Sequence, residues 1–458
     1  MSLLIQLHDL VTTRVSRPAF QIGRSMVPRH WGTYRAFRAG MKFRIEAASW
    51  TFDQREAWLL GRLRQTLRYA YDTTPYYRQL WERIGFDPRA EFGWDDFARL
   101  PVLTRGDLHA HGRELRSSAV PDWNVERNAT GGSTGRPVEI WMGPEERGWR
   151  ASGAEYSMRL LGVGEGVRRA LLWGHSLAPT VGASIRDRAE VVLANRGWFD
   201  CLRLSPEILR AYDRRLRRFR PRVVVAYASA LAALAREVER AGGPPPNYPT
   251  RCFVTGAEKL FDDQRELIER VFGRTVYERY GSRDVGDIAF QYRRDASLTL
   301  DVDWPLVLVE PQAADRESPI LVTKLHGDGM PMIRYVNDDV ALFPAGAVPG
   351  RPVFRLETIV GRIADRVILP NGRWLHGIHF PHLLKDYPIR DFQIHQAANF
   401  ALTVRLAPLA TFSASHREAI EHNIRANLPG LPISFEVLEE IPRTGAGKWR
   451  PVVSEVQS

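Results

Sequence analysis

Thr130, Gly131, Gly132, Ser133, Thr134 and Gly135 run consecutively within NATGGSTGRPVEIW (128–141). The three glycines let a backbone approach an anion closely and leave N–H groups to point at it. Ser133 and Thr134 add hydroxyl donors, and Arg136 adds a charge nearby. The stretch suits a loop that holds phosphate, yet it lacks the lysine of the common P-loop. In YERYGSRDVGD (277–287), Tyr280 offers a flat surface for a base, beside Gly281 and Ser282. Asp284 is an oxygen ligand of the kind Mg2+ takes together with phosphate oxygens. RYVNDDVALF (334–343) carries the adjacent acceptors Asp338 and Asp339, suited to ribose hydroxyls, and GRIADRVILPNG (361–372) supplies Arg362. IPRTGAGKWR (441–450) places Lys448 in a glycine- and proline-rich loop near the far end of the chain. Taken singly, each stretch reads equally as a surface turn.

The elements that must position these residues alternate. QREAWLLGRLRQTLRYAY (54–71) carries Leu59, Leu63 and Leu67 on one helical stripe and ends at Pro75. A short helix is expected to start near Thr104. From about 150 to 340, the strands RALLW, RVVVAY, CFVTG and VYERYG alternate with helices, such as the one after Ser205–Pro206. Such alternation implies a mainly parallel, layered α/β sheet. A more β-rich portion follows, from LTLDVDWPLVLVE to SPILVTKL. After Gly361 the pattern becomes that of a small α+β unit, whose helix SHREAIEHNIRANL opens on a capping box of Ser415 and Glu418. The boundary falls at 360–362. The expected units are therefore a basic arm (1–50), a large nucleotide- and acid-binding α/β domain with a β-rich subdomain (51–360), and a small α+β domain (361–458).

The chain has 458 residues, 44% apolar and 26% charged, which is ordinary globular composition. Its two cysteines, Cys201 and Cys252, exclude a four-cysteine zinc site and read as reduced core thiols. No apolar run reaches the roughly 18 residues of a membrane span, and no secretory leader is read at the N-terminus, so a cytoplasmic protein is expected. Residues 1–45 hold eight cations (Arg14, Arg17, Arg24, Arg29, Arg35, Arg38, Lys42, Arg44) against Asp9 alone. That segment carries most of the net charge of +11 and reads first as a solvated face, second as a site for an acidic partner or an anionic membrane surface. No zinc-finger or RNA-binding signature supports nucleic-acid binding. Only five lysines occur: Lys42, Lys259, Lys324, Lys385 and Lys448.

The five stretches, taken in their fixed order, resemble the adenylate-forming superfamily of acyl-CoA synthetases. More closely they resemble the branch of the phenylacetate–CoA ligases and the capsule-biosynthesis adenylate-forming proteins. YDTTPYYRQLWERIGFDP with LPVLTRGDL is similar to that branch's N-terminal helical stretch, and the likeness covers about 55–455. The resemblance implies a mobile small domain whose Lys448 supplies the charge missing from the phosphate loop 130–136. It implies that Tyr280 stacks on adenine, bordered by Gly256, Ala257 and Glu258, and that Asp339 and Arg362 hold the ribose. Asp284 stands in the place of the family's usual magnesium-binding glutamate. Trp173, His175, Tyr227 and Ala228 become acid-pocket candidates, and the two aromatics suit a compact or aromatic acid. ATP and Mg2+ are the implied cofactors and coenzyme A the implied thiol. Ala364 departs from the Asp or Lys common at the family hinge. That departure and the basic arm keep open transfer to an amine or to an acidic carrier protein. A nucleotide-binding scaffold without turnover is the reading from another class. The sequence leaves the oligomeric state open, a dimer included.

Overall fold

The computed structural model describes residues 31–456, except 130–137, 165, 175–194, 202–203, 243–246, 294–297, 363–365, 371–373, 377–378, 385–386, 429 and 443–448. Its helical N-terminal part begins with the helix Trp31–Glu46, which lies against the helix Pro144–Leu160. The approach is close: a Cβ on Gly148 would meet the Thr33 carbonyl oxygen at 2.5 Å. Arg44 is buried and makes a two-pronged pair with the buried Asp303, Nη2 to Oδ2 at 2.8 Å. Of the residues grouped above as a basic arm, 31–50 thus pack on the large body. Arg44 is not part of a solvated face, because its charge is matched inside the protein. The helix Phe52–Thr73 starts on a Thr51/Gln54 capping box and buries Leu59, Leu63 and Leu67. The next proline does more than stop it: Pro75 opens a second helix, Pro75–Ile84, at the position where a missing N–H costs nothing. Thr104 caps the short helix Arg105–His111.

Strands are numbered in chain order. The hairpin β1 (Glu126–Ala129) and β2 (Glu139–Met142) flanks the glycine stretch in sequence. Then come β3 (Arg169–Trp173), β4 (Arg196–Asp200), β5 (Val223–Ala226), β6 (Cys252–Gly256), β7 (Val276–Ser282), β8 (Gly286–Phe290) and β9 (Leu300–Val302). The β-rich portion holds β10 (Val307–Pro311), β11 (Glu317–Lys324), β12 (Tyr335–Leu342), β13 (Arg355–Leu356) and β14 (Thr358–Arg362). Among the described residues, one sheet has the order β13-β9-β8-β7-β6-β5-β3-β4, parallel from β7 to β4 and antiparallel beyond β7. Strands β5 and β6 are buried throughout, as expected for a parallel sheet covered on both faces. The second sheet, β10-β11-β12-β14, is antiparallel.

The C-terminal part contains β15 (Arg366–Ile368), β16 (Trp374–His376), β17 (Ile389–Gln396), β18 (Leu402–Pro408), β19 (Ile433–Val437) and β20 (Val452–Ser454). Its main sheet has the order β19-β18-β17-β20 and is covered by the helix Ala414–Asn427, with Ile420, Ile424 and Leu428 buried. That helix begins earlier than expected. Ser413, not Ser415, accepts from the His416 N–H, and His416 rather than Glu418 closes the box back onto Ser413. The mixed α/β architecture, with a large N-terminal part and a small α+β C-terminal part, is the expected one.

Candidate active site

The chain visits β3, moves outward to β4, then returns to β5 on the other side of β3. This reversal falls at the carboxyl ends of β3 and β5, the place where open α/β sheets bind ligands. Trp173 ends β3, and Tyr227 follows β5 directly. Their rings meet there, with centroids 4.4 Å apart. Burial pushes the Tyr227 hydroxyl up to about 12, so it stays protonated. Ala228 is fully buried at the start of the helix Ala228–Arg240. Gly256 ends β6 beside them, and a Cβ there would lie 3.0 Å from the Arg279 carbonyl oxygen and 3.6 Å from the Trp173 ring. His175 lies outside the described residues, as do Thr130, Gly131, Gly132, Ser133, Thr134, Gly135, the hinge position Ala364 and Lys448.

Tyr280 and Asp339 come from different sheets and meet. The Tyr280 hydroxyl donates to Asp339 Oδ2 at 2.8 Å. Asn337 Nδ2 donates to both, at 2.7 Å and 3.1 Å, which closes a three-membered polar cluster. Between the two acceptor-bearing residues, Asp338 adopts a left-handed backbone with φ +58°. On the neighbouring strand, Arg362 is the register partner of Asp339, so the two residues assigned to ribose share one rung of β12–β14. Gly281 is demanded by the backbone: its Cβ would fall 2.3 Å from the Gly286 carbonyl oxygen at the bulged start of the β7–β8 hairpin. Ser282 closes that hairpin by accepting from the Val285 N–H.

Asp284 is nearly buried. Its Oδ2 accepts from the Tyr335 hydroxyl at 2.8 Å and faces Arg105 at 3.9 Å. Among the described residues no group of three or more His, Cys, Asp or Glu side chains is placed to hold a metal. One carboxylate is nevertheless the donor set that fits Mg2+ when phosphate oxygens and water complete the octahedron.

The loop after β6 leads to the chain's far end. Ala257 has φ +65°, unusual for a residue with a side chain. Glu258 does not end free beside it: Oε2 accepts from the Ser229 N–H at 3.0 Å, and Oε1 accepts from the Trp449 N–H at 2.7 Å. The partly buried Lys259 donates to Thr358 Oγ1 and the Ile359 carbonyl on β14. Desolvation lowers its pKa. Phe261 packs edge-on against Trp449, with centroids 5.9 Å apart. Asn337, Tyr335, Arg105, Ser229, Lys259 and Trp449 were not marked by sequence reasoning as parts of the site. Asn337 alone left a signal, standing two places before Asp339 on a strand, where side chains share a face.

No family model matches the chain. It is 26% identical over 320 residues to a phenylacetate-coenzyme A ligase of Pseudomonas putida, covering 68% of this chain and 71% of that one. To the phenylacetate-coenzyme A ligase of Escherichia coli K12 it is 25% identical over 423 residues, covering 86% and 92%. Among solved structures it resembles 2-hydroxyisobutyryl-CoA ligase in the postadenylation state, with TM-score 0.68, 20% identity and coverage of 88% and 90%. The same ligase in the thioesterification state superposes less well, at TM-score 0.55 and 21% identity over 89% and 91%. Sequence and fold agree in what the chain is similar to: it resembles the phenylacetate-coenzyme A ligases in sequence and shares the fold of an acyl-CoA ligase that forms an adenylate.

Proposed function

We propose that the protein activates a compact or aromatic carboxylic acid with ATP and passes the acyl group to a thiol, coenzyme A in the first instance. The observation that carries this reading is the Trp449 to Glu258 hydrogen bond. It brings the peptide that follows Lys448 onto the loop of Gly256 and Ala257, at the carboxyl edge of the sheet.

In this account the acid lies against Trp173 and Tyr227 at the carboxyl ends of β3 and β5, with His175 as a further candidate lining residue. Adenine stacks on Tyr280, and Asp339 accepts from the ribose hydroxyls. Asp339 has the capacity for this, because an ionised carboxylate offers about four acceptor sites. Arg362 adds its charge beside the ribose. The loop Thr130–Gly135 directs N–H groups at the phosphates. Asp284 would hold Mg2+, which supplies neutralisation of phosphate charge when bound. The ionised acid needs no general base. Its oxygen bonds to the α-phosphorus as the bond to pyrophosphate breaks, and Lys448 offsets the negative charge that accumulates between the two anionic partners. In the second half-reaction the thiol sulfur attacks the acyl carbon, the C–O bond to AMP breaks, and the thiol proton is lost.

Both ATP and a reduced thiol are cytoplasmic reagents, so we place the reaction there. Among the described residues no helix is long and apolar enough to cross a membrane. Product analysis by mass spectrometry tests the proposal, using ATP, Mg2+, coenzyme A and a panel of acids that includes phenylacetate. The expected products are AMP, pyrophosphate and an acyl-CoA. Acyl transfer only to an acidic carrier thiol or to an amine would move the assignment to that acceptor. ADP with phosphate as products would refute it.

A further inference from the structure

We propose that Glu258 is a positioning residue for adenylation: its carboxylate clasps the small domain, through the peptide nitrogen that follows Lys448, to the helix that borders the acid pocket. The proposal rests on the adenylation reading above. One oxygen accepts from Trp449 N at 2.7 Å and the other from Ser229 N at 3.0 Å, so a single side chain joins segments separated by more than 200 residues. Each partner is itself anchored. Trp449 is buried in the small domain's core, where its indole N–H donates to the Phe392 carbonyl at 2.9 Å. Ser229 lies in the first turn of Ala228–Arg240, where unpaired N–H groups and the helix dipole favour a negative charge.

That geometry makes the clasp reversible. If the small domain turns away, the Glu258 carboxylate keeps its bond to the helix start and is not left as an uncompensated charge. The release therefore costs about one charge-assisted hydrogen bond rather than a buried ion. Lys259, the next residue, ties the same loop to Thr358 and Ile359 on β14, the strand that runs to Gly361. Gly361, inside that strand, has φ +146°, a backbone that glycine adopts most readily. One short loop thus grips the small domain at its docked face and steadies the strand leading to it.

Glu258→Ala removes both bonds. Glu258→Gln keeps the shape but leaves one N–H facing an amide NH2, and it carries the test should Glu258→Ala fail to fold. Hydrogen exchange at the Trp449 amide reads the clasp without catalysis: it should quicken by about 10- to 100-fold in Glu258→Ala and about 10-fold in Glu258→Gln. With phenylacetate as probe acid, kcat for ATP–pyrophosphate exchange should fall by a similar factor, while KM for ATP stays within about twofold. Thioester formation from supplied phenylacetyl-adenylate and coenzyme A should be undiminished. Unchanged Trp449 protection in both variants overturns the proposal. So does a raised KM for ATP with kcat retained, which would make Glu258 a nucleotide ligand. Absence of exchange in the parent protein with every acid sinks the adenylation reading, and the Trp449 amide still decides the clasp.

Discussion

The Tyr280–Asp339 hydrogen bond gives the sharpest test of how the nucleotide end of the site is built. Tyr280→Phe keeps the ring for stacking and removes only the hydroxyl, which donates to Asp339 Oδ2 at 2.8 Å and accepts from Asn337 Nδ2 at 2.7 Å. A hydrogen bond to a charged group contributes about 1.5–3 kcal/mol. Part of this remains in the variant, because Asn337 still donates to Asp339 at 3.1 Å. The expected loss in ATP affinity is therefore about 1–1.5 kcal/mol, or roughly 5- to 13-fold in KM, with kcat within threefold. Asp339→Asn removes the charged acceptor proposed for the ribose and should raise KM for ATP by about 10- to 100-fold. The two groups touch, so the double variant should fall short of the sum by about 1 kcal/mol. The assay is ATP-dependent pyrophosphate exchange at saturating acid, with each variant's fold checked by thermal unfolding. Strict additivity, within about 0.3 kcal/mol, would show that the tyrosine does not orient Asp339 and would refute the reasoning.

Lys448→Ala should slow adenylation by about 10²-fold or more while ATP binding changes far less, measured by exchange and by equilibrium nucleotide binding. Arg44→Met should cost about 3–5 kcal/mol in urea unfolding, because it strands the Asp303 carboxylate in the interior. His326 is held neutral: Nδ1 accepts from Arg62 and lies 3.3 Å from Glu145 Oε1, Nε2 donates to the Pro305 carbonyl, and burial outweighs the carboxylate and pushes its pKa from 6.5 down to about 3. The unfolded chain then binds more protons below pH 6.5, so His326 costs about 3 kcal/mol of stability between pH 6.5 and pH 4. Asp328, which caps Glu145 and Glu146, runs the other way. Burial raises its pKa from 3.8 to about 6, so its contribution is present at low pH and is lost as pH rises through 6, offsetting about 2 kcal/mol. Urea titrations from pH 6.5 to pH 4 should thus show His326→Asn retaining about 3 kcal/mol more than the parent. Parallel curves would contradict the assignment.

The alternation of strands and helices from Arg169 to Ser282 was legible because a parallel sheet leaves short, wholly apolar runs such as CFVTG between capped helices. The Ser205 cap and the helix start near Thr104 were found for the same local reason. The second helix after Pro75 was not, since proline can end one helix or open the next, and only packing decides which. Arg44 read as solvated because its partner lies 259 residues away, beyond any local pattern. Tyr280 and Asp339 were each named from their own motif, but their direct bond depends on how two sheets abut. Glu258 was assigned to the border of the nucleotide. Its side chain spans Ser229 and Trp449, a direction set by two backbone donors that no side-chain pattern reveals. Asp338 and Asp339 read as equivalent acceptors until the left-handed turn at Asp338 separated them.

The measurement that bears most directly on the whole account is acid-dependent ATP–pyrophosphate exchange. The account predicts that labelled pyrophosphate enters ATP only when a suitable carboxylic acid is present, and that this exchange collapses in Lys448→Ala. A folded protein that binds ATP but gives no exchange with any acid, or exchanges equally well without Lys448, would contradict it.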